Sequence, residues 1–152
     1  MISVIVPTLN SAAGLQTLLP ALVPAAVDAL VREVIAADGG STDPTLAICE
    51  DAGVKVVAGG ILAAAATARG ERLLIAPDDL ALRAGWDERL RAHLARGGGS
   101  ALVMGERAPG WLGWLRAAKV GLLIDRARLN GQAETRDVAA LVKALGRGAV
   151  RL

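Results

Sequence analysis

Aspartates are the residues of this sequence that are best placed to do chemistry. Asp78 and Asp79 are adjacent and follow an apolar run, where a strand would end. Adjacent carboxylates repel each other unless a cation lies beside them, and a divalent metal that holds a diphosphate would be such a cation. The alternative is a pair of solvated aspartates that opens a turn.

A third aspartate, Asp38, ends another apolar run and begins a polar loop. Its carboxylate could accept hydrogen bonds from a nucleobase or a ribose, and Gly39 and Gly40 would let the main chain approach a ligand. The start of the following helix favours negative charge nearby. The same residues also suit a tight strand-to-helix turn capped by Ser41 or Asp43, and the sequence leaves both interpretations open.

Composition excludes several other kinds of site. The single Cys excludes an intramolecular disulfide and a multi-Cys zinc site, and the single His excludes a His-rich metal centre. The loop Pro7–Asn10 has neither the G-x-G-x-x-G of dinucleotide-binding folds nor the G-x-x-x-x-G-K-[ST] of a P-loop. The net charge is only +2 and no basic run alternates with aromatic residues, so we expect no nucleic-acid partner.

The elements that must position these aspartates alternate between strands and helices. Short apolar runs predict strands at residues 2–6, 31–37, 54–58 and 72–76, with helices at about 12–30, 44–52 and 62–68 between them. This alternation predicts an α/β fold with a mainly parallel sheet. The loops that follow the four strands should then open on one edge, where ligands bind in such folds. They begin at Pro7, Asp38, Gly59 and Pro77.

Two features depart from this regular pattern. Pro20 and Pro24 should interrupt or end the first helix. Beyond Trp86 the sequence predicts a charged helix to about Arg96, a glycine-rich linker at 97–100, a strand at 101–104 and a last helix at about 137–145. The length of 152 residues suits a single domain with its own core.

Three ordered segments together resemble the family 2 glycosyltransferases. They are ISVIVPTLN at 2–10, VIAADGGSTD at 34–43, and LLIAPDD at 73–79 with Gly85 and Trp86 after it. The resemblance implies the GT-A fold, which is a Rossmann-like three-layer α/β/α arrangement with a mainly parallel central sheet. It also implies a nucleotide-diphosphate sugar as donor, with a UDP sugar favoured, and a divalent metal, Mg or Mn, between the aspartate motif and the diphosphate.

The resemblance further implies which residues meet the nucleotide. Pro7 and Thr8 fall where the family's first loop lines the nucleotide, and Asp38 matches the aspartate that binds the base. Relatives often place Arg and Asn where this chain has Gly59 and Leu62, so two donor contacts are missing there.

The metal motif is altered in this chain. Asp79 matches the last aspartate of the family's D-x-D motif, but Pro77 stands at its first position and cannot ligate a metal. We therefore expect Asp79 and Asp78 to be the metal ligands, with Asp78 also close to the nucleotide.

A segment near the C-terminus resembles the family's Glu-Asp sequence that opens a helix beside the acceptor. By this resemblance Asp137 is the general base that takes a proton from the acceptor hydroxyl, with inversion at the sugar. Arg136 stands where Glu is usual. The alternative for Asp137 is a purely structural one, because the helix dipole favours an aspartate in the first turn.

These observations predict a metal-dependent glycosyltransferase that acts on a hydroxyl acceptor whose identity the sequence does not give. Residues 1–152 would form one GT-A-like domain, with a donor-binding part at 1–86 and a reduced acceptor part at 87–152. The alternative is a GT-A-like protein that has lost catalysis and binds a nucleotide or a partner. A nucleotidyltransferase is less favoured, because no Gly-rich, Lys-bearing first loop is present.

The sequence also carries expectations about location. No run of about 18 uncharged apolar residues occurs, and the strand-like start at Met1 leaves no room for a signal peptide, so we expect a cytoplasmic protein. Trp111 and Trp114 lie at helical spacing in an aliphatic segment. They suit a sugar-stacking wall, a peripheral membrane contact or a cover for one end of the core.

Overall fold

The computed structural model describes residues 1–107 and 118–152, and in this part of the chain seven strands form one sheet. The strands are β1 (Ile2–Thr8), β2 (Val31–Asp38), β3 (Lys55–Ala58), β4 (Arg72–Ile75), β5 (Ala101–Met104), β6 (Val120–Asp125) and β7 (Val150–Arg151). The helices are α1 (Ala12–Val27), α2 (Thr45–Asp51), α3 (Ile61–Thr67), α4 (Trp86–Ala95) and α5 (Val138–Leu145), and a short 3-10 helix covers Arg126–Leu129.

The strand order in the sheet is β3-β2-β1-β4-β6-β5-β7. β1 runs parallel to both β2 and β4, and β2 runs parallel to β3, so the carboxyl ends of these four strands meet at one edge, which confirms the predicted arrangement. β6 is antiparallel to β4 and β5. The sequence pattern did not indicate β6, because its residues continue an apolar stretch in which no alternation marks a strand.

The sheet separates two hydrophobic layers, because successive side chains of a strand point to opposite faces. On one face Val4 and Val6 of β1 pack with the apolar residues of α1, α2 and α4. On the other face Ile5 packs with those of α3, α5 and the 3-10 helix. The predicted three-layer α/β/α architecture is therefore confirmed.

The prediction that prolines interrupt α1 is wrong. The helix passes through both Pro20 and Pro24 and ends at Val27, three residues before the expected end. Both prolines lie on the exposed side of the helix, where carbonyl groups without an intrahelical partner can bond to water. The opposite side buries Leu15, Leu18 and other apolar residues, so packing holds the helix together despite the lost hydrogen bonds.

Candidate functional site

The loops that follow β1 and β2 are locked together by hydrogen bonds at the carboxyl edge of the sheet. The side-chain oxygen of Asn10 accepts from the main-chain N–H groups of Thr42 (2.8 Å) and Asp43 (3.2 Å). In return, the hydroxyl of Ser41 accepts from the N–H of Asn10 at 2.9 Å. Asn10 can take part because it adopts a φ of 52°, a left-handed conformation that asparagine tolerates. The two loops therefore form one structural unit.

Asp38 is the centre of this unit. Its Oδ1 accepts hydrogen bonds from the hydroxyls of Thr8 (2.9 Å) and Ser41 (2.6 Å), and its Oδ2 accepts from the N–H groups of Gly40 and Ser41, both at 2.9 Å. Its residue exposure is only 6%. Burial alone would raise the pKa of Asp38, but the hydrogen bonds from Ser41, Gly40 and Thr8 outweigh it, so the pKa lies below its ordinary value.

This geometry supports the interpretation of Asp38 as the organiser of a turn. An ionised carboxylate has about four lone-pair positions, and four protein donors already bond to Asp38. A nucleobase would have to displace one of them. Binding of the base by Asp38 stays a prediction, and so does the predicted contact of Thr8, which is buried beside it.

The loop after β4 presents the aspartate pair. A hydrogen bond from Leu80 N–H to the Pro77 carbonyl (3.1 Å) closes a turn around Asp78 and Asp79. This turn packs closely on α1, because a Cβ atom at Gly14 would lie only 2.7 Å from the Asp78 carbonyl oxygen. The glycine in α1 thus allows the aspartate turn to reach its place.

Asp79 has a cation beside it. The ammonium nitrogen of Lys119 lies 3.2 Å from Oδ2 of Asp79, and both side chains are about half exposed, at 58% and 51%. Lys119 directly precedes β6, whose start lies at the same edge because β6 runs antiparallel to β4. Lys119 lies in an otherwise apolar stretch of the sequence, and no local signal places it near Asp79.

The segment before α5 is attached to the N-terminal turn of α3. The carboxylate of Glu134 accepts from the N–H groups of Leu62 (2.8 Å) and Ala63 (3.0 Å), and the N–H of Ile61 donates to the Thr135 carbonyl at 2.9 Å. Gly60 leaves room for this attachment, since a Cβ atom there would lie 2.5 Å from Oε1 of Glu134. These contacts bring the C-terminal segment to the edge that carries the aspartates.

Asp137 is the N-cap of α5. Its Oδ1 accepts from the N–H of Ala140 at 3.1 Å, and its own N–H donates to the hydroxyl of Thr135 at 3.0 Å. The structural alternative considered for Asp137 is thus present in the fold. The residue is exposed, and Oδ2 has no hydrogen bond from the described residues, so a cap and a catalytic base are compatible roles.

Four of the predicted site residues meet in one cleft of about 500 Å³. We call it the carboxylate cleft, and its walls include Pro7 and the charged residues Asp78, Asp79, Lys119, Arg136 and Asp137. Asp38 and Thr8 are not among its lining residues and lie buried nearby in the loop unit. Tertiary structure therefore joins the first loop, the aspartate pair and Asp137, and adds Lys119 and Arg136.

The donor set suits a metal that arrives together with a phosphate ligand. Among residues 1–107 and 118–152, no group of three His, Cys, Asp or Glu side chains could hold an ion by itself. Mg²⁺ commonly takes one or two carboxylates and completes its shell with water and substrate phosphates. Asp79 and Asp78 line the cleft and offer those carboxylates, and Lys119 is the cation now paired with Asp79.

A larger cavity, of about 870 Å³, lies at the opposite edge of the sheet. It is lined by Glu71, before β4, by Asp125, at the end of β6, and by residues of α3 and the 3-10 helix. None of the predicted site residues lies there. The smaller carboxylate cleft is the candidate site, because it combines charged groups at the edge where ligands bind in parallel sheets.

The predicted membrane contact falls on Trp111 and Trp114, which lie outside the described residues. In the described part of the chain, no helix combines the length and the apolarity needed to cross a membrane. The cytoplasmic location and the peripheral membrane contact stay predictions.

Comparisons with known proteins agree with this arrangement. A family model described as glycosyl transferase family 2 matches residues 3–120. No curated protein matches the sequence significantly. Among solved structures, the glucosyl-3-phosphoglycerate synthase of Mycobacterium tuberculosis in complex with Mn²⁺, UDP and glucosyl-3-phosphoglycerate aligns with a TM-score of 0.67 and 24% identity, over 99% of this chain and 68% of that one.

Two further structures belong to this comparison. The same synthase in complex with Mn²⁺, UDP-glucose and phosphoglyceric acid aligns with a TM-score of 0.66 and 23% identity, over 99% of this chain and 68% of that one. Residues 1–349 of TarS from S. aureus align with a TM-score of 0.56 and 27% identity, over 72% of this chain and 38% of that one. The likeness to the synthase establishes the shared fold.

Proposed function

The chain belongs to glycosyl transferase family 2, and from that premise we propose that it transfers a sugar from a nucleotide-diphosphate sugar to the hydroxyl group of an acceptor. The observation that carries the proposal is the carboxylate cleft. Asp78, Asp79 and Asp137 come from distant parts of the sequence, yet they line one cleft at the carboxyl edge of the sheet. Asp137, which can accept a proton, therefore lines the same cleft as Asp78 and Asp79, which can hold a cation.

Asp137 is the proposed general base. As the acceptor oxygen forms its bond to the anomeric carbon, Asp137 takes the proton of the acceptor hydroxyl, and the bond from that carbon to the diphosphate oxygen breaks. The bonding pair leaves with the diphosphate, so a single displacement inverts the anomeric centre. Because Oδ1 is the helix cap, Oδ2 is the atom that we assign to the proton.

Asp79, with Asp78, would hold the divalent metal. When bound, Mg²⁺ or Mn²⁺ neutralises charge on the departing diphosphate. The Mn²⁺ and UDP complexes of the mycobacterial synthase support a UDP sugar as donor and a metal of this class. The chain's own contribution is to present the two carboxylates on a tight turn that is held against α1 at Gly14.

Nucleotide binding is proposed for the unit formed by the first two loops. Pro7 lines the cleft directly. Thr8 and Asp38 would contribute by holding the Gly39–Ser41 loop in shape through their hydrogen bonds. Residues 1–86 would thus bind the donor, and residues 87–152 would supply the base and a reduced acceptor part of the same domain.

The test is a comparison of the wild-type protein with Asp79→Ala and Asp51→Ala in an assay of UDP-sugar hydrolysis and transfer. Asp51 is an exposed aspartate at the end of α2 and serves as the matched control. We expect Asp79→Ala to lose at least about 100-fold in rate with Mn²⁺ present, because removal of a group that stabilises the developing charge typically costs that much. Equal rates for Asp79→Ala and wild type would overturn the assignment of Asp79.

A second candidate is a GT-A-like protein that binds a nucleotide without turning it over. Two observations favour it: Pro77 occupies the first position of the metal motif, and Lys119 pairs with Asp79 where a metal would bind. Thermal unfolding with UDP and Mn²⁺, followed by a hydrolysis assay, separates the candidates. Stabilisation by UDP without any turnover of UDP sugars would favour the second candidate.

A further inference from the structure

Arg136 occupies a defined place on the wall of the carboxylate cleft. Its Nε donates a hydrogen bond to the carbonyl of Gly59 at 3.1 Å. Its guanidinium also fills the space above Gly39, since a Cβ atom at that glycine would lie 2.7 Å from Cζ and from Nη1. The side chain therefore lies against the ends of both β2 and β3, although it comes from the segment before α5.

The main chain around Arg136 is held independently of its side chain. Glu134 is bonded to the first turn of α3, and the Thr135 carbonyl accepts from Ile61. On its other side, Asp137 caps α5. Together with the hydrogen bond from Nε to Gly59, this fixed main chain restricts the guanidinium in advance, so that it loses less freedom when it binds an anion.

The charges of the cleft show what Arg136 could bind. Its described lining residues include three carboxylates, Asp78, Asp79 and Asp137, and two cations, Lys119 and Arg136. Lys119 is paired with Asp79. Arg136 forms no ion pair with the described residues, and of its five N–H donors one is used by Gly59.

We propose that Arg136 binds the diphosphate of the donor. The proposal rests on the proposed function. It adds a positively charged side chain for the diphosphate, which the aspartates cannot supply. A guanidinium matches the oxygen spacing of phosphate and forms short, charge-assisted hydrogen bonds to it. Because Arg136 and Asp137 are adjacent and both line the cleft, a diphosphate held by Arg136 lies on the same wall as the proposed base.

The experiment is calorimetric titration of the full chain with UDP and with uridine, at constant ionic strength and in the presence of Mn²⁺. Arg136→Gln removes the charge, and Gly39→Ala keeps the arginine but places a Cβ where its guanidinium lies. Arg96→Gln is the matched control, because Arg96 is an exposed arginine that follows α4. Thermal unfolding of each variant verifies that it is folded.

We expect Arg136→Gln to weaken UDP binding at least tenfold and uridine binding less than twofold, because only UDP carries the diphosphate. Gly39→Ala should also weaken the binding of UDP more than that of uridine. Arg136→Lys should retain part of the affinity for UDP. The control Arg96→Gln should bind UDP like the wild type.

Three results would overturn the assignment. Arg136→Gln could bind UDP as tightly as the wild type, or lose affinity for uridine to the same extent. Phosphoglycerate is titrated in parallel as a phosphorylated acceptor probe, and a loss of affinity confined to it would place Arg136 at the acceptor instead. Failure of the wild-type protein to bind UDP would be a separate outcome, because it would overturn the proposed function together with this inference.

Discussion

Replacement of Asp38 tests whether this carboxylate organises the loop after β2 or binds a ligand. Asp38→Ala removes the acceptor of four hydrogen bonds, of which the one from Thr8 is buried and three are partly buried. Hydrogen bonds to a charged group contribute about 1.5–3 kcal/mol, and less where water can replace the acceptor. With about 1.5–3 kcal/mol for the buried bond and about 1 kcal/mol for each of the three partly buried bonds, we expect a loss of about 4.5–6 kcal/mol in the free energy of unfolding.

Asp38→Asn should be much milder. Its carbonyl oxygen can keep the two main-chain donors of Gly40 and Ser41, and its amide can donate to the hydroxyls of Thr8 and Ser41, which rotate to accept. Only the charge is then lost. We expect a decrease of about 1–2 kcal/mol, so that alanine is clearly worse than asparagine.

The effect of Asp38→Asn should depend on pH. The pKa of Asp38 is lowered in the folded protein, because hydrogen bonds to the carboxylate outweigh the opposing effect of burial. Its charged form therefore stabilises the fold above the unfolded-state pKa of about 3.9, and this stabilisation is lost as the pH falls through the lower folded-state pKa. The difference between wild type and Asp38→Asn should be constant above about pH 5 and narrow below about pH 4.

The measurement is urea unfolding followed by far-UV circular dichroism at several pH values. Asp51→Ala is the control and should change stability by no more than about 0.5 kcal/mol, because Asp51 is exposed and surface substitutions are usually small. A loss below about 1 kcal/mol for Asp38→Ala, together with clearly weaker UDP binding, would refute the reasoning and identify Asp38 as a ligand-binding residue.

Three further predictions concern residues that shape the cleft. Asp137→Asn should lower the transfer rate by about 10²–10⁴-fold with little change in Tm, because asparagine also caps helices, whereas Asp137→Ala should in addition lose about 1 kcal/mol of stability. Gly14→Ala should weaken UDP binding in the presence of Mn²⁺ and lower Tm, since its Cβ would lie 2.7 Å from the Asp78 carbonyl oxygen. Gly60→Ala should reduce both UDP affinity and transfer rate, since its Cβ would displace Glu134. Initial rates, UDP titration and thermal unfolding measure these effects.

Gly99→Ala is the control for the two glycine variants, because a Cβ at Gly99 meets no atom of the described residues within 4 Å. If Gly14→Ala or Gly60→Ala behaved like Gly99→Ala in all three measurements, the close contacts at those positions would not determine the shape of the cleft. An unchanged rate for Asp137→Asn would leave Asp137 with its capping role alone.

Several elements of the fold follow closely from local sequence. The apolar runs at 2–6 and 31–37 correspond to β1 and β2, and the final helix, predicted from 137, begins at Val138 with Asp137 as its cap. Such features depend on neighbouring residues, which is why patterns reveal them. The exception is α1, where local rules favoured a break at Pro20 but burial of one side of the helix prevailed.

The strands after β4 illustrate the opposite case. β6 pairs with β4 and β5, and its apolar sequence contains no alternation that would distinguish a strand from a helix. The position of Lys119 depends on that pairing. Its contact with Asp79 joins residues 40 positions apart, and the sequence alone could not indicate it.

The sequence by itself determined the family resemblance, the α/β class and the edge of the sheet where the aspartates gather, because strand ends and loop composition are local properties. Only the tertiary structure decided which groups surround each of those aspartates. It surrounds the Asp38 carboxylate with four donors, whereas it leaves Asp79 beside Lys119 and places Arg136 over Gly39. Burial and the partners available to each side chain depend on distant segments that meet only in the folded chain, and these determine whether a carboxylate supports the fold or faces a ligand.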